Sequence, residues 1–600
     1  MRAALWTKAA CRVRIQNYFA ERRKRCIFAA GKSVSFVDKE NNILEVKDLS
    51  VAFDGRKVVE GVSYTLERGR TLGIVGESGS GKSVSSLALM GLLPPNATAS
   101  GSALLDGTEL LTLDEDGFRT VRGNRIGMIF QEPMTSLNPV QRCGAQVMEM
   151  MDGSGLSRKQ RRERVTELFR EVLLPRPEKI FDSYPHELSG GQKQRVMIAM
   201  ALINHPDIII ADEPTTALDV TVQRTILALL KQLQERHGIS IIFISHDLGV
   251  IAQVADSIMV MYRGKTVEQG PADEILHNPQ QPYTRGLLAC RPPLDTRPHR
   301  LPTVEEYMKD LTPQPLQPER DGDPPRPRPH TPESGEKGTL LSVRNLSVEY
   351  TLKRSLFGKP LQTLKGVDGV SFDIREGETL GLVGESGCGK TTLGRALLRL
   401  IEHSDGSITY RGTPLDRLGH RQMRTLRPRL QIIFQDPYSS LNPRISIGEA
   451  IAEPLRVHSS GLSRESRTSS VLGLMQQVGL EPDWYSRYPH ELSGGQRQRV
   501  CIARALVLQP ELVVCDESVS ALDVSVQAQV LNLLNELKER HHFTYLFITH
   551  DLSVVHYMAD RILVMQKGKV VESGTPDDLF THPQTDYTRS LLDAIPRIEP

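Results

Sequence analysis

The sequence predicts an α/β fold that is built twice, each copy containing a mainly parallel sheet and a helical subdomain. Three observations predict it: a long internal repeat, a glycine-rich turn between a strand-like and a helix-like segment in each copy, and short apolar runs typical of strands buried on both faces. The 600 residues include 39% hydrophobic and 24% charged residues. These are ordinary values for globular domains, and the length allows several of them.

The repeat defines the domains. Residues 184–223 and 488–527 are identical at 25 of 40 positions without a gap, and they lie 304 residues apart. This spacing is too long for a solenoid and indicates a duplicated domain. Between the copies, residues 291–338 contain 12 of the 37 prolines, a composition that opposes helices and central strands. We therefore expect domains at 43–290 and 339–600, joined by an extended, solvated linker.

Composition excludes several classes of protein. The chain has 74 basic and 72 acidic residues, whereas a protein that binds nucleic acid along its length is usually far more basic. No apolar run approaches the roughly 18 residues of a membrane-spanning helix. The seven cysteines form no CxxC pair, so neither a disulfide scaffold nor a zinc site is expected. Residues 1–33 hold nine Lys or Arg and one acid, and we predict a disordered basic tail over 1–42, without an assigned function.

Each copy alternates strand-like and helix-like segments. Residues 71–75 predict a strand, followed by a glycine-rich turn and a helix that begins at Lys82. Residues 207–211 form an apolar run typical of a second buried strand. A helical spacing then relates Ile226, Leu229, Leu230 and Leu233, and is repeated at Val530, Leu533, Leu534 and Leu537. Gly238 is the predicted end of the first of these helices.

Both glycine-rich turns fit the pattern G-x-x-x-x-G-K-[ST] of a phosphate-binding loop. The glycines let several backbone N–H groups point at one phosphate chain, with a helix N-terminus behind them. The lysine can reach the β- and γ-phosphates, and the hydroxyl that follows can bind Mg²⁺. The first loop contains Gly76, Glu77, Ser78, Gly79, Ser80, Gly81, Lys82 and Ser83. The second contains Gly384, Glu385, Ser386, Gly387, Cys388, Gly389, Lys390 and Thr391.

Two acids follow a buried strand in each copy: Asp212 with Glu213, and Asp516 with Glu517. An aspartate at the carboxyl end of a strand can hold Mg²⁺ through its water shell. The adjacent glutamate can orient or deprotonate a water for attack on the γ-phosphate. With the phosphate loops, the acid pairs predict two nucleotide-hydrolysing sites.

The segment Leu-Ser-Gly-Gly-Gln occurs at 188–192 and again at 492–496. With these segments the chain resembles the ATP-binding-cassette ATPases, over both domains and with the motifs in that family's order. The resemblance implies that Phe53 and Tyr350 stack on adenine. It further implies that Gln131 and Gln435 coordinate Mg²⁺ or the attacking water, and that His246 and His550 contact the γ-phosphate.

In the family that the chain resembles, two cassettes pair head to tail, so that each ATP is closed by the signature of the opposite cassette. We expect the two cassettes here to pair with each other, within one chain or between two chains. The residues that this implies are Ser189, Gly190, Gly191 and Gln192 for the second site, and Ser493, Gly494, Gly495 and Gln496 for the first. Residues 217–219 and 521–523 match the loop that crosses the interface between cassettes. The expected cofactors are ATP and Mg²⁺.

The residues in and around these motifs resemble those of the peptide-importer branch of the family. The segments that carry the likeness are residues 131–139 and 435–443, and the copy ends at 277–284 and 582–588. The branch serves dipeptides, oligopeptides, glutathione and nickel, and glutathione is the expected solute. The implied partners are two transmembrane permease subunits and a periplasmic solute-binding protein, at the cytoplasmic face of a bacterial inner membrane.

Two further expectations distinguish the peptide-importer hypothesis from other functions. Some members of the branch hold an iron–sulfur cluster after the first cassette, but only Cys290 lies in that region here, so we expect neither that cluster nor zinc. The alternatives are a dipeptide, oligopeptide or nickel importer. A further one, from another class, is a soluble tandem-cassette factor acting on ribosomes or DNA. The proline-rich linker and the missing zinc cysteines speak against that class, so no nucleic-acid partner is expected.

Overall fold

The computed structural model describes residues 41–216, 218–309, 338–354, 360–459, 461–520 and 522–598. The predicted basic tail lies outside the described residues up to position 40, and so does the linker from 310 to 337.

The first domain contains a six-stranded sheet in the order β10-β9-β3-β8-β7-β6. Strands β9, β3, β8, β7 and β6 pair in parallel, and β10 is an antiparallel edge strand. The central strands are buried throughout, which is why their residues are almost all apolar. The strands are β3 (Thr71–Val75), β6 (Ile126–Ile129), β7 (Ile208–Asp212), β8 (Ser240–Ser245), β9 (Ser257–Tyr262) and β10 (Lys265–Pro271).

A second sheet of four strands, in the order β2-β1-β4-β5, packs beside the first. Its core includes alternating inward-facing residues, such as Val62, Tyr64 and Leu66. The strands are β1 (Asn42–Phe53), β2 (Arg56–Glu67), β4 (Ala97–Leu105) and β5 (Thr108–Glu109).

Helices connect the strands and form a helical subdomain between β6 and β7. The predicted helix over Ile226–Leu233 is α8, which Asp219 caps through Val222 N and which ends at Gly238 with φ 65°. The helices are α1 (Lys82–Leu89), α2 (Glu115–Val121), α3 (Pro133–Ser136), α4 (Cys143–Glu149), α5 (Arg158–Glu171), α6 (Pro177–Asp182), α7 (Gly190–Leu202), α8 (Val220–His237), α9 (Leu248–Ile251), α10 (Ala272–His277) and α11 (Pro282–Ala289).

The second domain repeats this architecture. Its sheets run β16-β17-β18-β13-β19-β20 and β12-β11-β14-β15. The strands are β11 (Thr339–Arg354), β12 (Pro360–Arg375), β13 (Thr379–Val383), β14 (Asp405–Tyr410), β15 (Thr413–Pro414), β16 (Leu430–Ile433), β17 (Leu512–Asp516), β18 (Thr544–Ile548), β19 (Arg561–Gln566) and β20 (Lys569–Gly574).

The helices of the second domain follow the same order. Before the second domain begins, the chain forms one more helix, α12 (Val304–Met308), so the helices of the second domain are numbered from α13. They are α13 (Lys390–Leu397), α14 (His420–Leu426), α15 (Pro437–Ser440), α16 (Ile447–His458), α17 (Arg464–Gln477), α18 (Gly494–Leu506), α19 (Val524–His541), α20 (Leu552–Met558), α21 (Pro576–Thr581) and α22 (Asp586–Asp593).

The first residues of the predicted linker are packed rather than solvated. Leu301 and Val304 are buried in a core cluster that contains residues of both domains. Leu301 N donates to Asn532 Oδ1 at 2.9 Å, and Asn532 Nδ2 donates to Leu301 O at 2.8 Å. The prediction of a solvated, helix-free spacer is therefore wrong for residues 301–304, which are buried, and for residues 304–308, which form α12. The prolines there exclude a long helix but not close packing against the second domain.

Asn532 has a natural comparison within the chain, because Ala228 occupies the equivalent position of the first repeat. We expect Asn532→Ala to lower the free energy of unfolding of the chain by about 1–3 kcal/mol, because it leaves the buried N–H and the buried carbonyl of Leu301 unpaired. The thermal denaturation midpoint of the purified chain measures this effect.

The control is Asn535→Ala, which lies one turn further along α19 and is half-buried. Equal thermal denaturation midpoints for the two variants would show that the contact between Leu301 and Asn532 does not stabilise the chain.

Candidate active site

The phosphate loops lie between β3 and α1 and between β13 and α13, as predicted. Gly76 and Gly384 pass so close to the carbonyl oxygens of Met261 and Met565 that a Cβ at either position would overlap them. Only glycine fits there, which fixes the path of each loop across the end of its sheet.

The two loop lysines make the same contacts. Lys82 Nζ donates to Gly76 O at 2.6 Å and to Glu77 O at 2.9 Å. Lys390 Nζ donates to Gly384 O at 2.8 Å and to Glu385 O at 3.0 Å. Each buried ammonium is thus held inside the curve of its own loop, where a phosphate chain would be cradled.

A hydroxyl and an aspartate meet beside each lysine. Ser83 Oγ donates to Asp212 Oδ1 at 2.9 Å, and Thr391 Oγ1 donates to Asp516 Oδ1 at 2.8 Å. Burial raises the pKa of Asp212 to about 6 and also raises the pKa of Asp516. The other carboxylate oxygen of Asp516 is buried without a hydrogen-bond partner among the described residues.

Glu213 lies at the centre of the first site. Its Oε2 accepts from Gln131 Nε2 and from Thr216 Oγ1, both at 2.9 Å, and it lies 3.3 Å from His246 Nδ1. Burial alone would raise the pKa of Glu213, but the hydrogen bond and charge of His246 and the charge of Lys82 lower it to about 2. The carboxylate is therefore ionised at neutral pH.

Glu517 has equivalent neighbours in the second site. Gln435 Nε2 donates to its Oε2 at 2.7 Å, His550 Nδ1 lies 3.5 Å away, and Lys390 Nζ lies 3.7 Å from Oε1. The net effect of these neighbours, against the opposing effect of burial, is a lowered pKa.

Both glutamates have a left-handed backbone, with φ 46° at Glu213 and 45° at Glu517. This region is strained for a residue with a side chain, and such strain clusters at functional sites. The amide of each glutamate donates to the end of the neighbouring strand, at Ile244 O or Ile548 O. The strain turns each carboxylate toward the glutamine and the histidine.

The two sites contact each other's domains. Ser78 N, in the first phosphate loop, donates to Asp523 Oδ2 of the second domain at 2.9 Å. Thr221 Oγ1 of the first domain donates to Glu385 Oε1, in the second phosphate loop, at 2.8 Å. The segment that follows each acid pair therefore lies against the opposite phosphate loop.

Comparison with known proteins agrees with this geometry. Residues 59–216 and 367–520 each match the ABC transporter family, and together they make up more than half of the chain. The chain belongs to the ABC transporter family. Because members of this family that bind ATP in such cassettes are ATPases, the chain is an ATP-binding ATPase with two cassettes.

Other matches refine the comparison. Residues 267–315 and 571–600, at the end of each ABC cassette, match the C-terminal region of oligopeptide/dipeptide transporters. A peptidoglycan transport ATP-binding protein of Agrobacterium fabrum is 47% identical, over 94% of this chain and 98% of that protein. A glutathione import ATP-binding protein of Escherichia coli is 46% identical, over 93% of this chain and 90% of that protein.

Two solved structures are also similar. One is a dimeric ATP-binding cassette in a post-hydrolysis state bound to ADP and Pi, with 26% identity, 39% of this chain covered, 98% of that chain covered and a TM-score of 0.36. The other is a cassette from Clostridium perfringens that is part of an ABC transporter complex, with 26% identity, 41% and 91% coverage, and a TM-score of 0.36.

The signature segments of the two ABC cassettes begin helices. Ser189 caps α7 and Ser493 caps α18, each accepting from the backbone N–H of the glutamine three residues on. Both serines are exposed, and they lie at helix N-termini, where backbone N–H groups favour negative charge. Their predicted role in closing the opposite ATP site remains a prediction.

The two predicted adenine-stacking residues differ in their surroundings. Tyr350 is 41% exposed, and its hydroxyl lies 3.1 Å from Thr392 Oγ1, directly after the second phosphate loop. Phe53 ends β1 and is half-buried against the core of the four-stranded sheet. Ala217 and Ala521, in the predicted interface loops, lie outside the described residues.

Among the described residues, the side chains of Gln131 and Gln435 donate hydrogen bonds to the glutamates and not to the hydroxyl–aspartate pairs. Sequence reasoning did not identify Thr216 as a partner of Glu213, nor Thr221 as a partner of the opposite loop. The signal available for Thr221 was its position two residues after the predicted interface aspartate. The strained backbone of the glutamates has no counterpart in a sequence pattern.

We expect the same substitution to have different effects at Asp219 and at Asp523, the aspartates of the two predicted interface loops. Asp219 caps its own helix, whereas Asp523 makes no cap and binds the opposite phosphate loop. We expect Asp219→Ala to cost about 0.5–2 kcal/mol of stability, as lost caps do, and Asp523→Ala to cost less. Asp523→Ala should instead speed hydrogen exchange at the Ser78 amide.

Thermal denaturation and hydrogen-exchange mass spectrometry of the peptide that covers residues 76–83 measure the two effects. Equal losses of stability, with no change in exchange at the loop, would contradict the assigned contacts.

Proposed function

We propose that the chain is the ATP-hydrolysing subunit of a bacterial importer for peptides, with glutathione as the first candidate solute. The observation that carries the proposal is the combination, in each half, of an ABC transporter domain with a C-terminal segment typical of oligopeptide/dipeptide transporters. Two relatives at 46–47% identity over nearly the whole chain are named for glutathione import and for peptidoglycan transport. Both names denote solutes that contain peptide bonds.

ATP is bound by the two phosphate loops. Lys82 and Lys390 neutralise the β- and γ-phosphates, and the backbone N–H groups at the start of α1 and α13 donate to the phosphate oxygens. Phe53 and Tyr350 are the proposed adenine contacts. Tyr350 is supported by its exposed ring beside the loop.

The residues present fit a magnesium ion. Oxygen ligands from a hydroxyl and a carboxylate are those that Mg²⁺ prefers, and each site provides one pair: Ser83 with Asp212, and Thr391 with Asp516. The partnerless buried oxygen of Asp516 supports a cation there. When bound, the ion neutralises charge on the phosphate oxygens. Gln131 and Gln435 are the further candidates for this ion or for the attacking water.

Hydrolysis depends on the two strained glutamates. Glu213 or Glu517 accepts a hydrogen bond from a water and takes up its proton as the water oxygen forms a bond to the γ-phosphorus. The bond between that phosphorus and the bridging oxygen of ADP breaks, and ADP and phosphate are released. His246 and His550 hold the glutamate on one side and can donate to the γ-phosphate on the other.

The contacts between the two cassettes support a cycle in which the cassettes close on ATP and open after its hydrolysis. Ser493 and Gly495 would complete the site of Lys82, and Ser189 and Gly191 the site of Lys390. The helix N-termini behind these signatures favour the negative charge of the γ-phosphate. ATP therefore stabilises the closed pair, and its hydrolysis releases it.

Import requires partners that cross the membrane. Among the described residues, no helix is long and apolar enough to span a bilayer. Each cassette exposes apolar side chains on its helical side, including Phe130 and Val140 in the first and Phe434 and Val457 in the second. These exposed apolar side chains, present in both cassettes, support docking of two permease subunits at the cytoplasmic face of the inner membrane, with a periplasmic binding protein selecting the solute.

The assigned bases are tested by Glu213→Gln combined with Glu517→Gln. We expect ATP turnover to fall at least about 100-fold, because the amide cannot accept the proton of the attacking water. ATP binding should remain, since the lysines and loops are unchanged. Steady-state ATPase assays and equilibrium binding of ATP measure the two effects.

The matched control is Glu235→Gln combined with Glu539→Gln. These two residues are also equivalent in the repeats, but they lie on the exposed faces of α8 and α19. Turnover of the first double variant close to that of this control would refute the assigned bases.

The importer role is tested by coexpression with the candidate permease. The chain should sediment with membranes only when the permease is present. In proteoliposomes its ATPase should be stimulated by a binding protein loaded with glutathione, more than by one loaded with a dipeptide, an oligopeptide or nickel. Stimulation by one of those other solutes would replace glutathione, and cofractionation with ribosomes or DNA without membrane association would overturn the importer.

A further inference from the structure

The C-terminal segment of each cassette reaches back to the phosphate loop of the same cassette. Tyr283, at the start of α11, lies with its hydroxyl 3.2 Å from Glu77 N, which donates to it. Tyr587, at the start of α22, accepts from Glu385 N at 3.1 Å. The contact therefore occurs twice in one chain, between equivalent residues of the two repeats.

The same loop residue is held on its other side by the lysine. Glu77 O accepts from Lys82 Nζ, and Glu385 O accepts from Lys390 Nζ. The backbone of one residue thus connects the tyrosine hydroxyl to the ammonium that neutralises phosphate. Loss of the hydroxyl would leave the amide of this residue without its partner and the loop free to move at its outer edge.

The surroundings of Tyr283 keep its hydroxyl fixed and neutral. Tyr283 is 1% exposed, and its ring packs against Tyr262 with centroids 4.4 Å apart. Burial, reinforced by the charges of Glu77 and of Asp523 in the opposite cassette, raises its pKa. For Tyr587, burial and the charges of Glu385 and Asp219 act in the same direction.

The C-terminal segments contact the opposite cassette as well. Arg224 of α8 donates to Asp593 O at 2.9 Å, six residues beyond Tyr587. The chain that follows α11 is held on the second cassette by the Leu301–Asn532 pair. Each segment is thereby fixed between a phosphate loop and the long helix of the other half.

We propose that Tyr283 and Tyr587 are positioning residues that hold the phosphate loops in the form that binds ATP and couple them to the opposite cassette through the C-terminal segments. The inference rests on the proposed function, in which these loops bind ATP. A loop that must first be ordered binds its ligand with an affinity reduced by the fraction of time it spends in the competent form.

The test is Tyr283→Phe combined with Tyr587→Phe in the full chain. Phenylalanine keeps the ring in its site and removes only the hydroxyl. We expect the Kd and the KM for ATP to rise about three- to tenfold, as for a lost hydrogen bond, with kcat changed less than twofold. Each single variant should weaken one of the two sites, so that binding of a fluorescent ATP analogue becomes biphasic.

The matched control is Tyr545→Phe. Tyr545 is fully buried, and its hydroxyl donates to Leu534 O at 3.2 Å in the core of the second cassette. This variant also loses one hydrogen bond of a buried tyrosine, and it should lower the Tm without changing the affinity for ATP.

An unchanged Kd in the double variant would overturn the inference, and so would an equal loss of affinity in the Tyr545→Phe control. Failure of the proposed function has a different signature, because the unsubstituted chain would then not bind ATP at its phosphate loops at all. A wild-type chain that binds ATP, beside a double variant that binds it equally well, refutes the positioning role alone.

Discussion

The arrangement of both sites depends on one constraint: parallel strands that are buried on both faces bring their carboxyl ends to the same edge of the sheet. β8 lies between β3 and β7, so the loops after these three strands are neighbours although they are far apart in sequence. The strands themselves must be apolar, and the polar residues that do chemistry are therefore confined to the loops. The phosphate loop, the acid pair and the histidine meet because each follows the carboxyl end of one of these three neighbouring parallel strands.

The same edge supports a strained backbone at Glu213 and Glu517. A left-handed conformation at a residue with a side chain costs about 1–3 kcal/mol and persists only where the surroundings determine it. Here the preceding strand is buried throughout, and the glutamate amide is fixed to the end of the next strand. The rigidity of the sheet thus holds the carboxylate in a conformation that a free loop would abandon.

The sequence predicted the repeat, the two α/β domains, and the phosphate loop and acid pair of each site, because phosphate loops and strand-terminal acids have local patterns. It did not predict Thr221 on Glu385, or the tyrosines on the loops, because these contacts join segments that are distant along the chain. The proline-rich composition predicted a solvated spacer, but residues 301–304 are buried. Composition reports the local preference of the backbone, whereas burial there is decided by the surface of the second cassette.

The repeats differ where they contact each other. The helix after the first interface loop has Arg224 and Ala228, and the equivalent helix has Ala528 and Asn532. Arg224 binds a carbonyl of the second C-terminal segment, and Asn532 binds the segment that follows the first cassette. Two copies of the same half could not form both contacts. The phosphate loops and the acid pairs are alike in the two halves, whereas the contact surfaces are complementary. This difference favours pairing of the two cassettes of one chain.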